Sequence, residues 1–387
     1  MKPEISEILT RSVSEVIDRK HLEEVLASGR KLRVKLGIDP TSPNLHIGRA
    51  VVLWKLRQFQ ELGHQVVFIV GDFTGLIGDT SDKDAERPML DEKTVKANMK
   101  TYFAQAFKIL DRKQTETYYN SKWLKKLGFV EIAQMADRFG LHEFSARENI
   151  AKRLSAGKRV SLRELMYPLM QGYDSVAVKA DVELGGTDQR FNLLAGRTIQ
   201  PMYQQPVQDI LMTNLLEGTD GRKMSSSWGN VINLTDEPTD MFGKVMSIGD
   251  ELIVKYFEYA TRLPMPEVRQ VAGELKAGAN PRAIKKRLAR EIVTLYHGAN
   301  AGIAAADEWQ KVFSNKEKPT EIPEAKVKAT NIVDVLVETK LAPSKSEAKR
   351  LLTQKGVRID DRVADESAIV KSGNLIQVGK RKFIKIK

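Results

Sequence analysis

The chain has 387 residues, 42% of them hydrophobic, which predicts two or three domains with cores of their own. It contains no cysteine, so disulfides and thiolate chemistry are excluded, and no stretch has the apolar length of a signal peptide or membrane span, which fits a cytoplasmic protein. The 62 Lys+Arg residues against 50 Asp+Glu give a formal net charge of +12, which favours an anionic partner such as nucleic acid.

The first two thirds of the chain predict an α/β fold. Residues 1–30 are predicted to be an N-terminal helical segment, because apolar residues such as Ile5, Ile8 and Leu9 recur near a 3.6-residue period. From residue 31, β-rich runs at 32–38, 65–71, 181–186 and 207–214 alternate with helical stretches such as 47–62. This alternation predicts a Rossmann-like parallel-sheet domain at 31–235. A mostly helical insertion interrupts it at about 90–165, and such insertions often carry dimer contacts.

The remaining third predicts two further units. Residues 236–313 are predicted to be an all-α domain, and the polar, proline-broken stretch 314–330 is typical of a linker. Residues 331–387 alternate short helices with short strands, which predicts a small α+β module. This module has thirteen Lys+Arg against seven Asp+Glu, a net +6 and half of the chain's excess, so we expect it to meet the anionic partner as an RNA-binding module.

The first motif is GIDPTSPNLHIGR at 37–49, between a predicted strand and a predicted helix. Gly48 lets the backbone approach a ligand, the first turn of a helix offers free N–H donors, and His46 can donate a hydrogen bond to a phosphoryl group. A single His-x-Gly at a helix start is more often a surface histidine.

The second motif is DGRKMSSSWGN at 220–230, a Gly-flanked and Ser-rich loop after a predicted strand. Lys223 and the hydroxyls of Ser225–Ser227 suit a loop that closes on a polyphosphate and releases it. Taken alone, the pentapeptide is more typical of a solvated surface turn.

The third motif is YPLMQGYD at 167–174, where Tyr167, Gln171 and Asp174 are spaced to share one helical face. Pro168 predicts a first turn or a kink, which makes Tyr167 the least secure member. The polar stripe is equally compatible with a solvated helix face.

Both loop motifs follow predicted strands of one α/β domain, where ligands bind in open parallel sheets. They resemble HIGH and KMSKS, the two signatures of the class I aminoacyl-tRNA synthetases. Within that class the chain is similar to the bacterial tyrosyl-tRNA synthetases with a C-terminal RNA-binding module. The strings KLGIDPTSPNLHIGR, VGDFTGLIGDTS, YPLMQGYDS, GGTDQRFN and KMSSS, in that order, carry the resemblance over nearly the whole chain.

The resemblance implies that the chain is a homodimer that activates L-tyrosine with ATP and Mg²⁺, without a protein-bound metal, and transfers it to tRNA(Tyr). It implies catalytic roles for His46, Arg49 and Lys223. The residues implied to bind ATP are Asp39, Thr41, His46, Gly48, Asp188, Lys223 and Ser226. Those implied to bind tyrosine are Thr74, Asp79, Tyr167, Gln171, Asp174 and Gln189, with Asp174 accepting a hydrogen bond from the phenol.

The resemblance also extends to pyrophosphate and RNA. It implies that Lys83 and Arg87 approach pyrophosphate or the tRNA end. In the C-terminal module, the candidate RNA-binding residues are Lys345, Lys349, Arg350, Lys355 and Arg358.

Three departures from the family pattern keep alternatives open. Arg49 replaces the second histidine of HIGH, and Ser226 replaces the second lysine of KMSKS. Lys35 stands where some tyrosyl enzymes place a tyrosine near the phenol, so the second phenol partner is unassigned. The alternatives are a tryptophanyl-tRNA synthetase, a non-catalytic RNA-binding paralogue, and a small-molecule adenylyltransferase that would not need residues 331–387.

Overall fold

The computed structural model describes residues 3–80, 89–314, 322–379 and 382–387. The chain forms two compact units, one of residues up to Thr235 together with Ile248–Ala279, the other of Asp236–Ser247 together with residues from Asn280 onward. Among the helices in the described ranges, none has both the length and the apolar character that crossing a membrane requires.

A six-stranded sheet forms the centre of the first unit. Its strands are β1 (Val13–Ile17), β2 (Arg33–Ile38), β3 (Gln65–Val70), β4 (Thr115–Tyr119), β5 (Val182–Gly186) and β6 (Asp209–Thr213). They lie in the order β1-β6-β5-β2-β3-β4, with β1 antiparallel to β6 and the other pairs parallel. The sheet core is apolar, as Val34, Phe68 and Leu211 are fully or almost fully buried. The α/β prediction is confirmed, and so are the four strands predicted between residues 32 and 214.

The helices that precede the C-terminal module belong to both units. They are α1 (Pro3–Ile8), α2 (Arg19–Ala27), α3 (Ile47–Glu61), α4 (Thr74–Ile77), α5 (Glu92–Met99), α6 (Tyr102–Ala106), α7 (Ser121–Leu124), α8 (Phe129–Ala136), α9 (Leu141–Ser145), α10 (Glu148–Ser155), α11 (Leu162–Val178), α12 (Arg190–Ile199), α13 (Pro238–Met246), α14 (Ile253–Ala260), α15 (Met265–Lys276), α16 (Pro281–His297) and α17 (Ala299–Ser314). Helices α13, α16 and α17 belong to the second unit, and the others to the first.

The prediction of one helical segment over residues 1–30 is wrong in its middle. Strand β1 separates α1 from α2, and the chain takes left-handed backbone angles at both of its ends, with φ of 58° at Ser12 and 57° at Asp18. Three of the five β1 residues are β-branched, so their spacing fits a helix but their propensity fits a strand. Pairing with β6 decides between the two.

Two further boundaries differ from the sequence expectation. The range 90–165, expected to be mostly helical, contains β4, which extends the main sheet by pairing with β3. Helices α14 and α15 lie in the first unit, although the sequence placed them in an all-α domain of 236–313. The Arg11 side chain helps to hold this segment, because its guanidinium donates to the carbonyls of Thr261 and Leu263, both at 2.8 Å. Helical periodicity shows a buried face but not the partner that buries it.

The second unit ends in a small α+β module, as predicted. Its elements are β7 (Glu324–Ala325), α18 (Ile332–Glu338), α19 (Lys345–Thr353), β8 (Val357–Ile359), β9 (Arg362–Val363), β10 (Leu375–Val378) and β11 (Lys382–Ile386). The strands form one sheet in the order β7-β11-β10-β8-β9, so part of the predicted linker 314–330 joins this sheet as β7. The core contains Ile332, Leu336, Leu352, Val357 and Ile376.

Candidate active site

A cleft opens at the carboxyl ends of β2, β5 and β6. Because β3 lies on one side of β2 and β5 on the other, the cleft is at the place where open parallel sheets bind ligands. The cleft wall includes these residues that the sequence assigned to catalysis, ATP binding or tyrosine binding: Asp39, Thr41, His46, Gly48, Arg49, Asp79, Tyr167, Gln171, Asp188, Gln189, Lys223 and Ser226. The two loop motifs therefore meet at one cavity within the first unit.

The two motifs are in direct contact. The Gly48 amide donates to the Met224 sulfur at 3.4 Å, and a Cβ added at Gly48 would lie 3.3 Å from the Met224 Cβ. The hydroxyls of Ser42 and Ser226 are 3.2 Å apart. The Ser-rich loop is thus closed against the first motif, and a side chain at position 48 would crowd both the His46 ring and Met224.

His46 is a buried, neutral histidine at the start of α3. Its Nδ1 accepts a hydrogen bond from the Arg49 amide at 3.3 Å, which caps the helix and leaves the ring proton on Nε2. Burial lowers the pKa of His46 to about 3, with the positive charges of Arg49 and Lys223 acting in the same direction. The ring therefore offers a neutral N–H donor throughout the physiological pH range.

Arg49 is held against the cleft wall by a residue that the sequence did not single out. Its guanidinium donates to the Tyr102 hydroxyl at 3.1 Å and to the Thr41 hydroxyl at 3.3 Å, and it lies 3.4 Å from the Asp39 carbonyl. Tyr102 is fully buried on α6, and its hydroxyl donates a hydrogen bond to the Ser42 carbonyl at 2.6 Å. Tyr102 is therefore a fixed acceptor for Arg49.

Lys223 forms an ion pair with Asp188, which lies in a short turn after β5. The distance from Nζ to Oδ2 is 2.7 Å, and the side chains are 28% and 19% exposed. An ion pair that water reaches contributes little to stability. A phosphate group can thus replace the carboxylate as the partner of Lys223 at small cost.

Tyr167 and Asp39 form a buried hydrogen-bonded pair. Helix α11 continues through Pro168, so Tyr167 and Gln171 both reach the cleft. The Tyr167 hydroxyl donates to Asp39 Oδ2 at 2.9 Å, and the Thr74 hydroxyl donates to Oδ1 at 2.7 Å. Burial raises the pKa of Asp39 to about 6 despite these two hydrogen bonds, and it also raises that of Tyr167.

Asp79 lies nearby and is held by the turn after β5. The Gln189 side chain donates from Nε2 to Asp79 Oδ2 at 2.7 Å, and Gln189 Oε1 accepts from Asn192 at 2.9 Å. A carboxylate fixed at a cleft wall is a suitable acceptor for an ammonium group.

Comparisons with known proteins identify the family of the chain. Residues 27–314 match the family described as tRNA synthetases class I (W and Y), and residues 331–376 match the S4 domain. The chain is 46% identical to the tyrosine–tRNA ligase of Dehalococcoides mccartyi over 387 residues, covering 98% of each chain. It is 47% identical to that of Thermotoga maritima, covering 98% of this chain and 96% of the relative. The chain belongs to the tyrosyl branch of the class I tRNA synthetases.

Solved structures show the same fold for this synthetase. A C-terminally truncated mitochondrial tyrosyl-tRNA synthetase from Aspergillus nidulans has a TM-score of 0.68 at 21% identity, covering 81% of this chain and 95% of the other. A tryptophanyl-tRNA synthetase from Plasmodium falciparum has a TM-score of 0.58 at 14% identity, covering 79% and 89%. Since tyrosine and tryptophan enzymes share the fold, the sequence relatives distinguish the branch.

In this tyrosyl synthetase, Asp174 lies behind the cleft wall rather than in it. The carboxylate is 3% exposed and accepts from Trp123 Nε1 at 2.7 Å and from Asn120 Nδ2 at 3.2 Å. Burial raises the pKa of Asp174 to about 7, although the Lys35 charge and the two hydrogen bonds act against it. Thr74 is the other residue that was predicted to bind tyrosine and lies outside the wall. Its hydroxyl accepts from the same Asn120 amide at 2.9 Å.

Sequence reasoning missed Tyr102, Asn120 and Trp123. All three lie in the range predicted as an insertion, and no motif surrounds them. Their role comes from tertiary contact alone, because α6 and α7 bring them to residues that are at least 46 positions away in sequence.

The predicted RNA-binding residues of the synthetase are exposed on the S4 module. Lys345 and Lys349 lie on α19 with ion pairs to Asp334 and Glu366, at 2.7 and 3.5 Å. Arg350, Lys355 and Arg358 are also exposed, as phosphate contacts require. Lys83 and Arg87 lie outside the described residues.

Proposed function

We propose that the cleft catalyses both steps by which tyrosine is joined to tRNA(Tyr). In the first step the tyrosine carboxylate attacks the α-phosphorus of ATP, which forms tyrosyl-adenylate and releases pyrophosphate. In the second, a hydroxyl of the terminal tRNA ribose attacks the adenylate carbonyl, and AMP leaves. The observation that carries this proposal is the convergence of His46 and Lys223 on one cavity, with Gly48 in contact with Met224.

The nucleotide end of the cleft is formed by Thr41, His46, Arg49, Asp188 and Lys223. No protein nucleophile is needed, because the substrate carboxylate attacks directly. Acceleration then comes from alignment and from donors directed at the negative charge on the leaving pyrophosphate. His46 supplies a neutral donor, while Arg49 and Lys223 supply positive charge. Asp39, Gly48 and Ser226 line the adjoining wall.

The amino-acid end is formed by Asp79, Tyr167, Gln171 and Gln189, with Asp174 and Thr74 behind them. Asp79, Tyr167, Gln171 and Gln189 present oxygen atoms suited to the substrate ammonium group. Asp174 would accept a hydrogen bond from the phenol hydroxyl in place of one of its present donors, Trp123 or Asn120. A phenylalanine in the same place would leave a buried acceptor unpaired, and tyrosyl-tRNA synthetases are the established example of selection on this basis.

Mg²⁺ would accompany ATP in the first step. Among the described residues, no three or more His, Asp or Glu side chains are grouped as ligands for a metal ion. The cleft therefore fits a Mg²⁺ ion whose ligands come mainly from the ATP phosphates and water, with at most one or two carboxylates from the protein. When bound, Mg²⁺ would neutralise charge on the phosphates.

The S4 module would bind tRNA through phosphate contacts. Its five exposed basic side chains, Lys345, Lys349, Arg350, Lys355 and Arg358, support this assignment. Replacing Lys349 and Lys355 by glutamate should raise the KM for tRNA and leave tyrosine activation unchanged. Since the reaction supplies ribosomes with charged tRNA, the expected compartment is the cytoplasm.

A homodimer is the expected assembly. Large apolar side chains are exposed in the range 129–166, including Phe129 at 85%, Leu162 at 78% and Leu141 at 71%. A concentration of exposed apolar residues marks an interaction surface, and a second copy of this chain is the proposed partner. Sedimentation of Phe129→Asp and Leu162→Asp variants tests this, since each should shift the protein toward the monomer.

Exchange of labelled pyrophosphate into ATP tests the central proposal. The purified chain should support exchange with tyrosine and far less with tryptophan or phenylalanine, followed by charging of tRNA(Tyr). Exchange that requires tryptophan would identify a tryptophanyl enzyme. Absence of exchange with every amino acid would leave a non-catalytic RNA-binding protein as the conclusion.

A further inference from the structure

A completely buried ion pair lies at the centre of the main sheet, and none of the roles above uses it. Lys35 on β2 is paired in register with Glu183 on β5, and the distance from Nζ to Oε1 is 2.9 Å. The two side chains are 0% and 1% exposed. A buried ion pair is costly unless further hydrogen bonds satisfy both charges, so its remaining partners indicate its role.

The remaining partners of Lys35 lie on α11. The Lys35 ammonium donates to the backbone carbonyl of Gln171 at 2.9 Å and to the Ser175 hydroxyl at 2.8 Å. Together with Glu183, these acceptors use all three of its hydrogens. Lys35 therefore has no hydrogen left for the phenol of a substrate, and it ties the sheet to the helix that carries the amino-acid end.

Glu183 in turn fixes the side chain of Gln171. Gln171 Nε2 donates to Glu183 Oε1 at 3.1 Å, while the other Glu183 oxygen accepts from Ser175 at 3.0 Å and from Gln208. One hydrogen of the Gln171 amide nitrogen is thus engaged by Glu183, and Gln171 also lines the cleft. Its Oε1 is the atom that remains for the substrate.

We propose that Lys35 and Glu183 are positioning residues that orient the Gln171 carboxamide with its oxygen toward the substrate ammonium group. The opposite orientation would direct two N–H donors at a cation and repel it. This inference rests on the proposed function, in which Gln171 belongs to the amino-acid end. It assigns a role to the position where some tyrosyl enzymes have a tyrosine.

Two matched double variants test the proposal. Lys35→Met with Glu183→Gln removes both charges but retains an acceptor for Gln171 Nε2, whereas Lys35→Met with Glu183→Met removes the acceptor as well. Both lose the same ion pair, but the Met/Met variant also leaves the buried donors of Ser175 and Gln208 without their acceptor on residue 183, so thermal melting should show it to be the less stable of the two. In tyrosine-dependent exchange, the KM for tyrosine should be about tenfold higher in the Met/Met variant, a typical effect of one hydrogen bond to a polar group. The KM for ATP should be the same in both.

A third substitution shows whether the effect passes through Gln171. When Gln171→Ala is added to each double variant, the difference between their tyrosine KM values should disappear. Equal KM values in the original two variants, or a difference that persists without Gln171, would overturn the proposal. Tyrosine-dependent pyrophosphate exchange by the wild-type protein is measured first, because its absence would overturn the proposed function instead.

Discrimination against phenylalanine separates this role from direct phenol binding. The ammonium group is common to tyrosine and phenylalanine, so the ratio of their kcat/KM values should be equal in the two double variants and close to that of the wild type. A collapse of this ratio in both would place Lys35 at the phenol and contradict the proposal.

A measurement on the unaltered protein covers the case in which the double variants do not fold. In protein labelled with ¹⁵N at glutamine, the side-chain amide signal of Gln171 is identified by its loss in Gln171→Ala. The amide proton that is donated to Glu183 should exchange slowly with solvent. Exchange as fast as that of an exposed glutamine would overturn the proposal.

Discussion

At the nucleotide end of the cleft, Lys223 and Asp188 form a partly solvated ion pair between two turns, and the His46 ring accepts a hydrogen bond from the Arg49 amide. At the amino-acid end, Asp174 and Tyr167 are 3% and 7% exposed and their polar atoms are held by protein partners. The first arrangement suits a triphosphate that must enter and leave as pyrophosphate and AMP. The second suits selection of one side chain, because a buried polar group penalises any ligand that leaves it unpaired.

The largest expected effect concerns the burial of Asp174. Its pKa is raised to about 7, so the folded state binds a proton more tightly than the unfolded state, and stability falls as pH rises from about 4 to about 7. Asp174→Asn removes this penalty. The variant's free energy of unfolding, relative to wild type, should therefore increase by about 3 kcal/mol between pH 5 and pH 8. Urea unfolding of both proteins at the two pH values measures this. If the difference between their free energies of unfolding is the same at pH 5 and pH 8, Asp174 is more solvated than its 3% exposure indicates.

The next effect concerns His46 at the nucleotide end. His46→Ala should lower kcat for tyrosine-dependent exchange by roughly 10²–10³-fold, the usual cost of losing one donor to transition-state charge. Tyrosine affinity should stay within about twofold, because the ring does not reach the amino-acid end. His46→Asn is the matched control, since it retains a cap for α3 and a neutral donor and should recover part of the rate. Equal losses in both variants would contradict the donor role.

At the amino-acid end, Asp174→Asn should change specificity more than rate. The amide keeps one acceptor oxygen for the donors Trp123 and Asn120 but offers the phenol proton no charged partner. The ratio of kcat/KM for tyrosine over phenylalanine should fall by about 10–100-fold. The KM for ATP should stay close to the wild-type value. A change in ATP kinetics as large as the change in specificity would mean that the two ends are not separate.

The smallest effect concerns the support of Arg49. Tyr102→Phe removes the acceptor for the guanidinium and should lower kcat/KM for ATP by about 5–10-fold, as expected for one hydrogen bond to a charged group. Tyr203→Phe, which removes a hydroxyl bonded to Glu131 at 2.7 Å and away from the cleft wall, is the control and should leave the value unchanged. In an Arg49→Ala background the Tyr102→Phe effect should vanish. Its persistence would give Tyr102 a role that does not depend on Arg49.

The two ends also differ in how far they could be read from the sequence. At the proposed nucleotide end, the sequence singled out His46, Gly48 and Lys223, which line one cleft, because each belongs to a local feature, a helix start or a loop, that short strings encode. At the proposed amino-acid end, the sequence singled out only some of the residues that are in contact. Tyr167, Gln171 and Asp174 follow from helical spacing, whereas Asn120 and Trp123 reach Asp174 through a long-range contact that no spacing indicates.

The sequence by itself determined the α/β class, the four central strands, the two motifs that meet at the cleft and the basic C-terminal module. These features depend on hydrophobic period, turn residues and charge, which are properties of short segments. The tertiary structure alone decided that β1 pairs with β6, that Tyr102 supports Arg49 and that Lys35 faces Glu183. These pairings join residues far apart in the chain, and their free energy arises only when the sheet and its helices bury both partners together.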